Sequence, residues 1–218
     1  LIRGIATNED TYQTLVGAWP AEFYGDAPLD TDALDSFGER IVAYMTKAVR
    51  EAKVRSSWID PDEPYETALA TFVGRLLDGR RHNPFLEDFR AFHGRVAELG
   101  AVNALSQAVL KLTAPGVPDL YQGTELWDFN LVDPDNRRPV DFALRRRLLG
   151  EVSRAATTDD VSGLLRAWPD GRIKLFILWR LLSLRRAHPA LFLDGGYEPV
   201  ARVGERADHL LAFVRRRG

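Results

Sequence analysis

The sequence lacks several features that would each indicate a particular class of protein. It has no cysteine among its 218 residues, which excludes a disulfide framework and a thiolate zinc site and fits a reducing cytoplasm. No uninterrupted apolar run approaches the ~18 residues that a membrane-spanning helix needs. The net charge is only −2, so the chain as a whole does not attract nucleic acid or anionic lipid. We therefore expect a cytoplasmic protein with neither nucleic-acid nor membrane partners.

The composition that remains is that of an ordinary globular protein. Hydrophobic residues make up 45% of the chain and charged residues 28%, which excludes collagen-like, low-complexity and wholly disordered classes. The chain begins with Leu1 and its only methionine is Met45, so we expect it to be a piece of a longer protein.

Charge is distributed unevenly along the chain. Residues 1–138 carry 14 basic and 22 acidic side chains, whereas residues 139–218 carry 15 and 9. The arginine clusters at 145–147 and 215–217 belong to the basic part, but no aromatic residues are interleaved with them, as single-stranded nucleic acid would require. We interpret these clusters as solvated surface, or as a surface that pairs with acidic groups.

Apolar residues recur at three- and four-residue spacing over most of the chain, which predicts a mainly helical fold. The second and third predicted helices begin at Asp62 and at Asn83, and Gly100 is expected to stop or kink the third. The first predicted helix has a cap at Asp30 or Thr31 and an apolar stripe made of Leu34, Phe37, Ile41, Tyr44, Ala48 and Ala52.

The pattern changes after Gly116. Residues 117–121 predict a short buried strand, and the polar stretch 122–139 is long enough to indicate a functional loop. One barrel-type strand is too little for a complete (β/α)8 barrel, which needs eight strands and about 250 residues, so most of any barrel would lie upstream. Helices are expected again near 144–152, 161–167 and 173–184, before two strands at 197–203 and 209–214.

The end of the predicted strand carries a mixture of aromatic and polar groups that suits a carbohydrate site. Sugars bind to flat aromatic rings, and carboxylates and amides fix their hydroxyls. Glu125 beside Trp127 therefore fits a sugar-facing pair. In the alternative interpretation, which stays open, Tyr121 belongs to the core and Glu125 pairs with an arginine.

Several separated motifs resemble one enzyme family. Residues 116–125, GVPDLYQGTE, are similar to the eighth barrel strand of the α-amylase superfamily of glycoside hydrolases. Their continuation at 126–141, LWDFNLVDPDNRRPVD, is close to the pattern of the maltooligosyl trehalose synthases. Arg55 and Ser56 depart from that family's pattern, which is nearer His-Thr. Further similar motifs are YQTLVGAW at 12–19, KAVREAK at 47–53, Ser57 with Trp58, and NALSQ at 103–107.

The resemblance implies a mainly α-helical fragment of an α/β, TIM-type barrel enzyme. Residues 1–112 would be the helical region after the seventh barrel strand. Residues 113–190 would hold the eighth strand, a loop at the cleft and the following helices. Residues 191–218 would be the start of a C-terminal β domain.

The resemblance also implies a reaction. The family converts the reducing-end α-1,4 linkage of a maltooligosaccharide to α,α-1,1 by intramolecular transglycosylation. This retaining chemistry uses a carboxylate nucleophile and a carboxylic acid/base about 5 Å apart. In the superfamily these groups and a stabilising aspartate follow the fourth, fifth and seventh strands, upstream of the eighth. The seventh-strand motif carries a His-Asp pair that this sequence lacks, so no residue here is expected to be catalytic.

The remaining candidates would bind substrate or shape its site. Trp58 would stack on glucose or, alternatively, fill the core. Arg137 or Arg138 would hold a carboxylate bidentately and fix the loop, or the loop would be a purely structural turn. The expected partners are the maltooligosaccharide and the remainder of the barrel. The expected substrate-site residues are Lys53, Ser57, Trp58, Tyr121, Glu125, Trp127, Asp133, Asn136, Arg137 and Arg138.

Neither a metal nor another cofactor is expected. The four histidines lack ligand spacing, and we interpret them as surface or cap residues. The acidic run at 133–136 lacks the glycine and the glutamate of an EF-hand loop. Two other functions stay open: a non-catalytic helical interaction module whose basic half docks on an acidic partner, and a fragment of an α-glucan hydrolase.

Overall fold

The computed structural model describes residues 8–155 and 157–218 and is mainly helical, as the apolar spacing predicts. Two short strands, β1 (Gly196–Pro199) and β2 (Phe213–Arg216), pair antiparallel near the C-terminus. Single 3₁₀ turns lie at Ala21–Phe23, Asp135–Arg137, Trp168–Asp170 and Ala207–His209. The helices are α1 (Asn8–Ala18), α2 (Thr31–Ala52), α3 (Glu63–Leu76), α4 (Pro84–Thr113), α5 (Phe142–Val152), α6 (Thr158–Arg166), α7 (Arg172–Ala187) and α8 (Pro189–Asp194).

The chain divides into two compact units. The first unit comprises Leu1–Leu99 and Asp128–Pro139, and the second comprises Gly100–Trp127 and Val140–Gly218. The boundary falls inside α4, and the segment Asp128–Pro139, hereafter the 128–139 loop, belongs to the first unit although its flanks belong to the second.

Helices α2, α3 and α4 begin where the sequence predicts. Asp30 caps α2 by accepting a hydrogen bond from the Ala33 backbone N–H at 2.9 Å, and Asp62 caps α3 in the same way. Asn83 precedes Pro84, the first residue of α4, and its side chain accepts from a backbone N–H of the first turn. These caps satisfy donors that the first turn of a helix leaves unpaired, which is why sequence alone locates them.

The core of the first unit is built around an aromatic cluster. The Trp19 ring packs edge-on against Phe37 and Phe89, with ring centroids 5.4 and 4.8 Å apart. His93 stacks on Phe89 and is buried, so its assignment as a surface or cap residue is wrong. The buried face of α2 is Leu34, Phe37, Ile41, Met45 and Val49.

Two details of these helices differ from the predictions. Beyond Ile41 the fully buried residues of α2 are Met45 and Val49, at four-residue steps, whereas the predicted Tyr44 and Ala48 are only partly buried at the edge of this face. Helix α1 carries a weak apolar pattern and was not predicted as a helix from its sequence, although it delivers the buried Leu15 to the core.

The prediction that Gly100 stops its helix is wrong, because α4 is continuous from Pro84 to Thr113. A glycine within a helix costs about 1 kcal/mol relative to alanine, which the other residues of so long a helix outweigh.

The second unit has its own core, formed by α5, α6 and α7. Leu148 and Val152 pack with Leu164 of α6 and with Ile173 and Leu175 of α7. Thr157 and the third residue of α6 form a reciprocal capping box. The predicted helices at 144–152, 161–167 and 173–184 are confirmed with small shifts of their ends.

Two strands are present near the C-terminus as predicted, but each is only four residues long, and they overlap the predicted ranges 197–203 and 209–214 only at 197–199 and 213–214. Arg215 of β2 reaches out of the hairpin and donates hydrogen bonds to backbone oxygens of Thr113, Gly195 and Gly196, among others. Arg215 therefore links separate segments of the second unit by hydrogen bonds, and its interpretation as solvated surface is wrong.

The predicted buried strand at 117–121 is wrong for this structure. These residues form no strand, and Val117 and Tyr121 are 89% and 75% exposed. A strand needs a neighbour to accept its hydrogen bonds, and within the described residues none pairs with this segment. Gly116 also takes a φ of +121°, and Pro118 has no N–H to donate.

Among the described helices, none is both long and apolar enough to cross a membrane.

Candidate functional site

The predicted site residues fall into two groups, one on each unit. The second unit holds Tyr121, Glu125 and Trp127. The first unit holds Lys53, Ser57, Trp58, Asp133, Asn136, Arg137 and Arg138.

The 128–139 loop lies against α2 and is held there by two basic side chains of that helix. Arg40 binds the Asp135 carboxylate bidentately, at 2.8 Å from Nε and 2.9 Å from Nη2, and also donates to the Phe129 carbonyl. About two turns further along α2, Lys47 Nζ donates to the Asp133 carbonyl at 2.5 Å. The Asp135 carboxylate accepts a third hydrogen bond, from the Leu131 N–H at 2.7 Å. The Arg40 guanidinium thus holds the pKa of Asp135 below its usual value.

Within the loop, the two predicted arginines make local contacts. Arg137 binds the Asp133 carboxylate through both Nε, at 2.5 Å, and Nη2, at 3.0 Å. Arg138 donates to the Asn130 side chain and to the Asp135 carbonyl. Bidentate pairing by Arg137 is therefore present, but Arg40 rather than Arg137 ties the loop to the rest of the unit. Asn136 is exposed at the turn.

The segment after α2 carries the other three predicted residues of this unit. Lys53 ends α2 in the left-handed conformation, with φ +56°, and its side chain is exposed. Ser57 closes a tight turn with Asp60: its Oγ accepts from the Asp60 N–H at 2.9 Å. Trp58 is 56% exposed, so the alternative that it fills the core is wrong.

A partly buried network of polar side chains lies beneath this segment. Glu66 of α3 accepts hydrogen bonds from Arg50 Nε at 2.8 Å and Nη2 at 2.6 Å, and from Ser56 Oγ at 2.5 Å. The Arg50 guanidinium, followed by the Ser56 hydroxyl, lowers the pKa of Glu66 from 4.5 to about 2. The guanidinium also lies 5.1 Å from the centroid of the Trp58 ring, at cation–π distance.

In the second unit, Glu125 is paired with an arginine. Its Oε2 accepts from Arg145 Nε at 2.9 Å and from the Gly123 N–H at 3.0 Å, and Arg145 also donates to the Gly123 carbonyl. Tyr121 is exposed and outside the core, contrary to the core alternative. Trp127 is half-buried: its Nε1 donates to the Trp168 carbonyl at 2.6 Å.

The residues that organise the first unit's site were missed by sequence reasoning. Arg40, Arg50 and Glu66 lie on helix surfaces where their sequence neighbours give no sign of a distant partner. Arg40 and Asp135 are 95 positions apart in sequence, and Arg50 and Glu66 are 16 apart. The local signal was limited to the KAVREAK motif at 47–53, which contains Lys47 and Arg50. In residues 8–155 and 157–218, no three acidic or histidine side chains lie close enough together to hold a metal ion.

Known proteins share both sequence and structure with this chain. No family model matches it. A putative maltooligosyl trehalose synthase from Mycobacterium tuberculosis strain CDC 1551 / Oshkosh is 36% identical over 209 residues, which cover 96% of this chain and 23% of that protein. The protein of the same description from strain H37Rv gives the same values.

Solved structures give the same result. A crystal structure of maltooligosyl trehalose synthase matches with a TM-score of 0.78 and 34% identity, covering 94% of this chain and 25% of that one. Maltooligosyltrehalose synthase from Arthrobacter ramosus matches with a TM-score of 0.73 and 36% identity, covering 94% of this chain and 24% of that one. The chain spans about a quarter of the length of the relatives it matches. Over almost its whole length, this chain is therefore a relative of one segment of the maltooligosyl trehalose synthases.

Proposed function

We propose that this chain is part of an intramolecular transglycosylase that forms maltooligosyl trehalose. The enzyme would convert the reducing-end α-1,4 linkage of a maltooligosaccharide to α,α-1,1, as a (1→4)-α-D-glucan 1-α-D-glucosylmutase does. The observation that carries this proposal is 36% identity over 96% of the chain, together with a TM-score of 0.78 at 34% identity. The rest of the catalytic barrel and the glucan would be its partners, in the cytoplasm.

In that enzyme the chain would supply the end of a TIM-type barrel. Residues 1–112 would follow the seventh strand, residues 113–190 would contain the eighth strand and its loop, and residues 191–218 would begin the C-terminal β domain. The exposure of Val117 and Tyr121 supports this proposal, because the residues of a barrel strand are covered by neighbouring strands that other parts of the barrel supply.

The carboxylates of the candidate site are suited to holding structure rather than to breaking glycosidic bonds. A retaining mechanism needs a nucleophile and an acid/base about 5 Å apart and free to reach the sugar. Instead, Asp135 is bound by Arg40, Asp133 by Arg137, Glu125 by Arg145 and Glu66 by Arg50. We therefore assign no catalytic residue to this chain, and expect the chain alone to be inactive.

The contribution of this segment would be to bind the glucan and to exclude water. A transglycosylase must keep water away from its glycosyl-enzyme, and ordered loops that cover the cleft accomplish this. The 128–139 loop is ordered by α2, and the exposed Trp58 ring offers an apolar face to a sugar. Lys53 and Ser57 beside it, and Asn136 on the loop, would donate or accept hydrogen bonds from sugar hydroxyls. On the second unit, Tyr121, Glu125 and Trp127 would contribute similarly.

An incubation of this chain with maltohexaose tests the assignment of chemistry. Reducing ends and products are followed by chromatography, and circular dichroism verifies that the chain is helical. A folded chain that leaves maltohexaose unchanged agrees with the proposal, because its catalytic carboxylates would be supplied by other residues. Loss of reducing ends without chain shortening would contradict the absence of catalytic residues. Release of glucose or maltose would instead indicate a hydrolase. Salt-sensitive binding of an acidic protein, with no binding of glucan, would indicate an interaction module.

A further inference from the structure

The indole of Trp58 has two different faces. One face lies against the Arg50 guanidinium, 5.1 Å from the ring centroid, while 56% of the residue remains exposed. Because the guanidinium lies on one side of the ring, we infer that the exposed area belongs to the opposite face and the ring edge. A ring supported from behind and open in front is the arrangement in which an aromatic side chain stacks on the apolar face of a sugar.

The guanidinium is not free to move. The Glu66 carboxylate accepts two parallel hydrogen bonds from it, at 2.8 and 2.6 Å, and this bidentate interaction fixes the plane of the guanidinium as well as its position. Glu66 is itself held by Ser56 Oγ at 2.5 Å, and the same Oγ accepts from the Asp62 N–H at 3.1 Å. The Glu66 side chain is 12% exposed and the Arg50 side chain 27%. The support of the Trp58 ring is thus anchored to the start of α3 through a partly buried chain of hydrogen bonds.

We propose that Glu66 is a positioning residue that acts through Arg50 to hold the Trp58 ring with one face covered and the other presented to a glucose unit of the glucan. The proposal rests on the proposed function for the identity of the ligand, but not for the geometry. Without Glu66, the long Arg50 side chain regains its rotamer freedom and the ring loses its backing. The Trp58 side chain then samples several orientations, and sugar binding must order it.

Ionisation of Glu66 is consistent with a permanent support. Because Arg50 and Ser56 hold its pKa near 2, Glu66 remains a carboxylate throughout the neutral and mildly acidic range. The support therefore does not switch with pH under ordinary conditions.

Fluorine NMR of the 218-residue chain labelled with 5-fluorotryptophan tests the proposal. The chain has five tryptophans, and the Trp58 resonance is identified by its loss in Trp58→Phe. In Glu66→Gln an amide nitrogen replaces one acceptor oxygen and faces an Arg50 N–H, so one of the two parallel hydrogen bonds is lost. We expect the Trp58 resonance to move and change width in Glu66→Gln and in Arg50→Lys, while the other tryptophan resonances stay in place. Asp35→Asn, which removes the exposed ion pair with Arg80, is the matched control and leaves the Trp58 resonance unchanged.

A titration with maltohexaose in the same samples separates the two proposals. We expect the sugar to move the Trp58 resonance of the parent chain, and the apparent Kd to rise roughly two- to fivefold in Glu66→Gln. An unchanged Trp58 resonance in folded Glu66→Gln and Arg50→Lys would overturn the positioning role. If the variants move that resonance but maltohexaose never does so in the parent chain, positioning stands and the glucan-binding part of the proposed function fails.

Discussion

Replacing Asp135 by alanine removes the carboxylate that holds the 128–139 loop on α2. The carboxylate accepts two hydrogen bonds from Arg40 and one from the Leu131 N–H. After the substitution, Arg40 keeps only the Phe129 carbonyl among these contacts and becomes a partly buried cation without a counter-charge. The loop also loses the acceptor that closes its turn at Leu131.

The cost is worked from the contacts and from their exposure. Hydrogen bonds to charged groups contribute ~1.5–3 kcal/mol each, and breaking a fully buried ion pair costs ~3–5 kcal/mol. The side chains of Arg40 and Asp135 are 17% and 14% exposed, so water compensates part of the loss. We therefore expect Asp135→Ala to lower the free energy of unfolding by about 2–4 kcal/mol, a large share of the ~5–15 kcal/mol typical of a domain.

Urea unfolding of the chain at pH 7, followed by circular dichroism, measures this cost. Asp35→Ala is the matched control, because it also removes a carboxylate from an arginine, but from an exposed pair, and is expected to change stability far less. Arg40 lowers the pKa of Asp135 in the folded chain, so the stabilisation is complete above the usual pKa of 3.8 and lost as the pH falls below it. The difference between the parent chain and Asp135→Ala should shrink in the same range. Equal costs for the two alanine variants would refute the claim that Asp135 holds the loop.

Two further predictions concern the cores of the units. Burial lowers the pKa of His93, so as the pH falls the unfolded chain binds a proton at this residue before the folded chain does. The free energy of unfolding should therefore decrease below about pH 6.5, by at most ~1.4 kcal/mol per pH unit. His93→Phe should lack this part of the pH dependence. Gly171 has φ +76°, and a Cβ there would lie 3.2 Å from the Leu126 side chain. Gly171→Ala should therefore cost ~1–2 kcal/mol in urea unfolding, whereas Gly150→Ala, at an open helical position, should not destabilise; equal effects would contradict the assigned strain.

The features that could be predicted from the sequence are those determined by residues close together in the chain. The starts of α2 and α3 follow from Asp30 and Asp62, because a cap residue satisfies backbone donors only three positions away. Pairing of Glu125 with an arginine was one of two open interpretations, and Arg145 on the next helix supplies it.

What could not be predicted depends on distant partners. A strand at 117–121 has the right residues, but a strand exists only beside a neighbour that completes its hydrogen bonds. The contact of Arg40 with Asp135 joins positions 95 apart, and no period or motif in one sequence relates them. The same holds for the support of Trp58: its exposure follows from the fold, not from its residue type.

The most direct test of the central claim is to transplant this chain into a relative. In the putative maltooligosyl trehalose synthase from Mycobacterium tuberculosis, the segment that matches over 209 residues would be replaced by this chain. The products from maltohexaose are then compared with those of the unmodified relative, after verifying that both proteins are folded. The account predicts loss of reducing ends without chain shortening, and less of it when Trp58 of the transplanted chain is alanine. A folded chimera that only releases glucose or maltose, or that is indifferent to Trp58→Ala, would contradict the account.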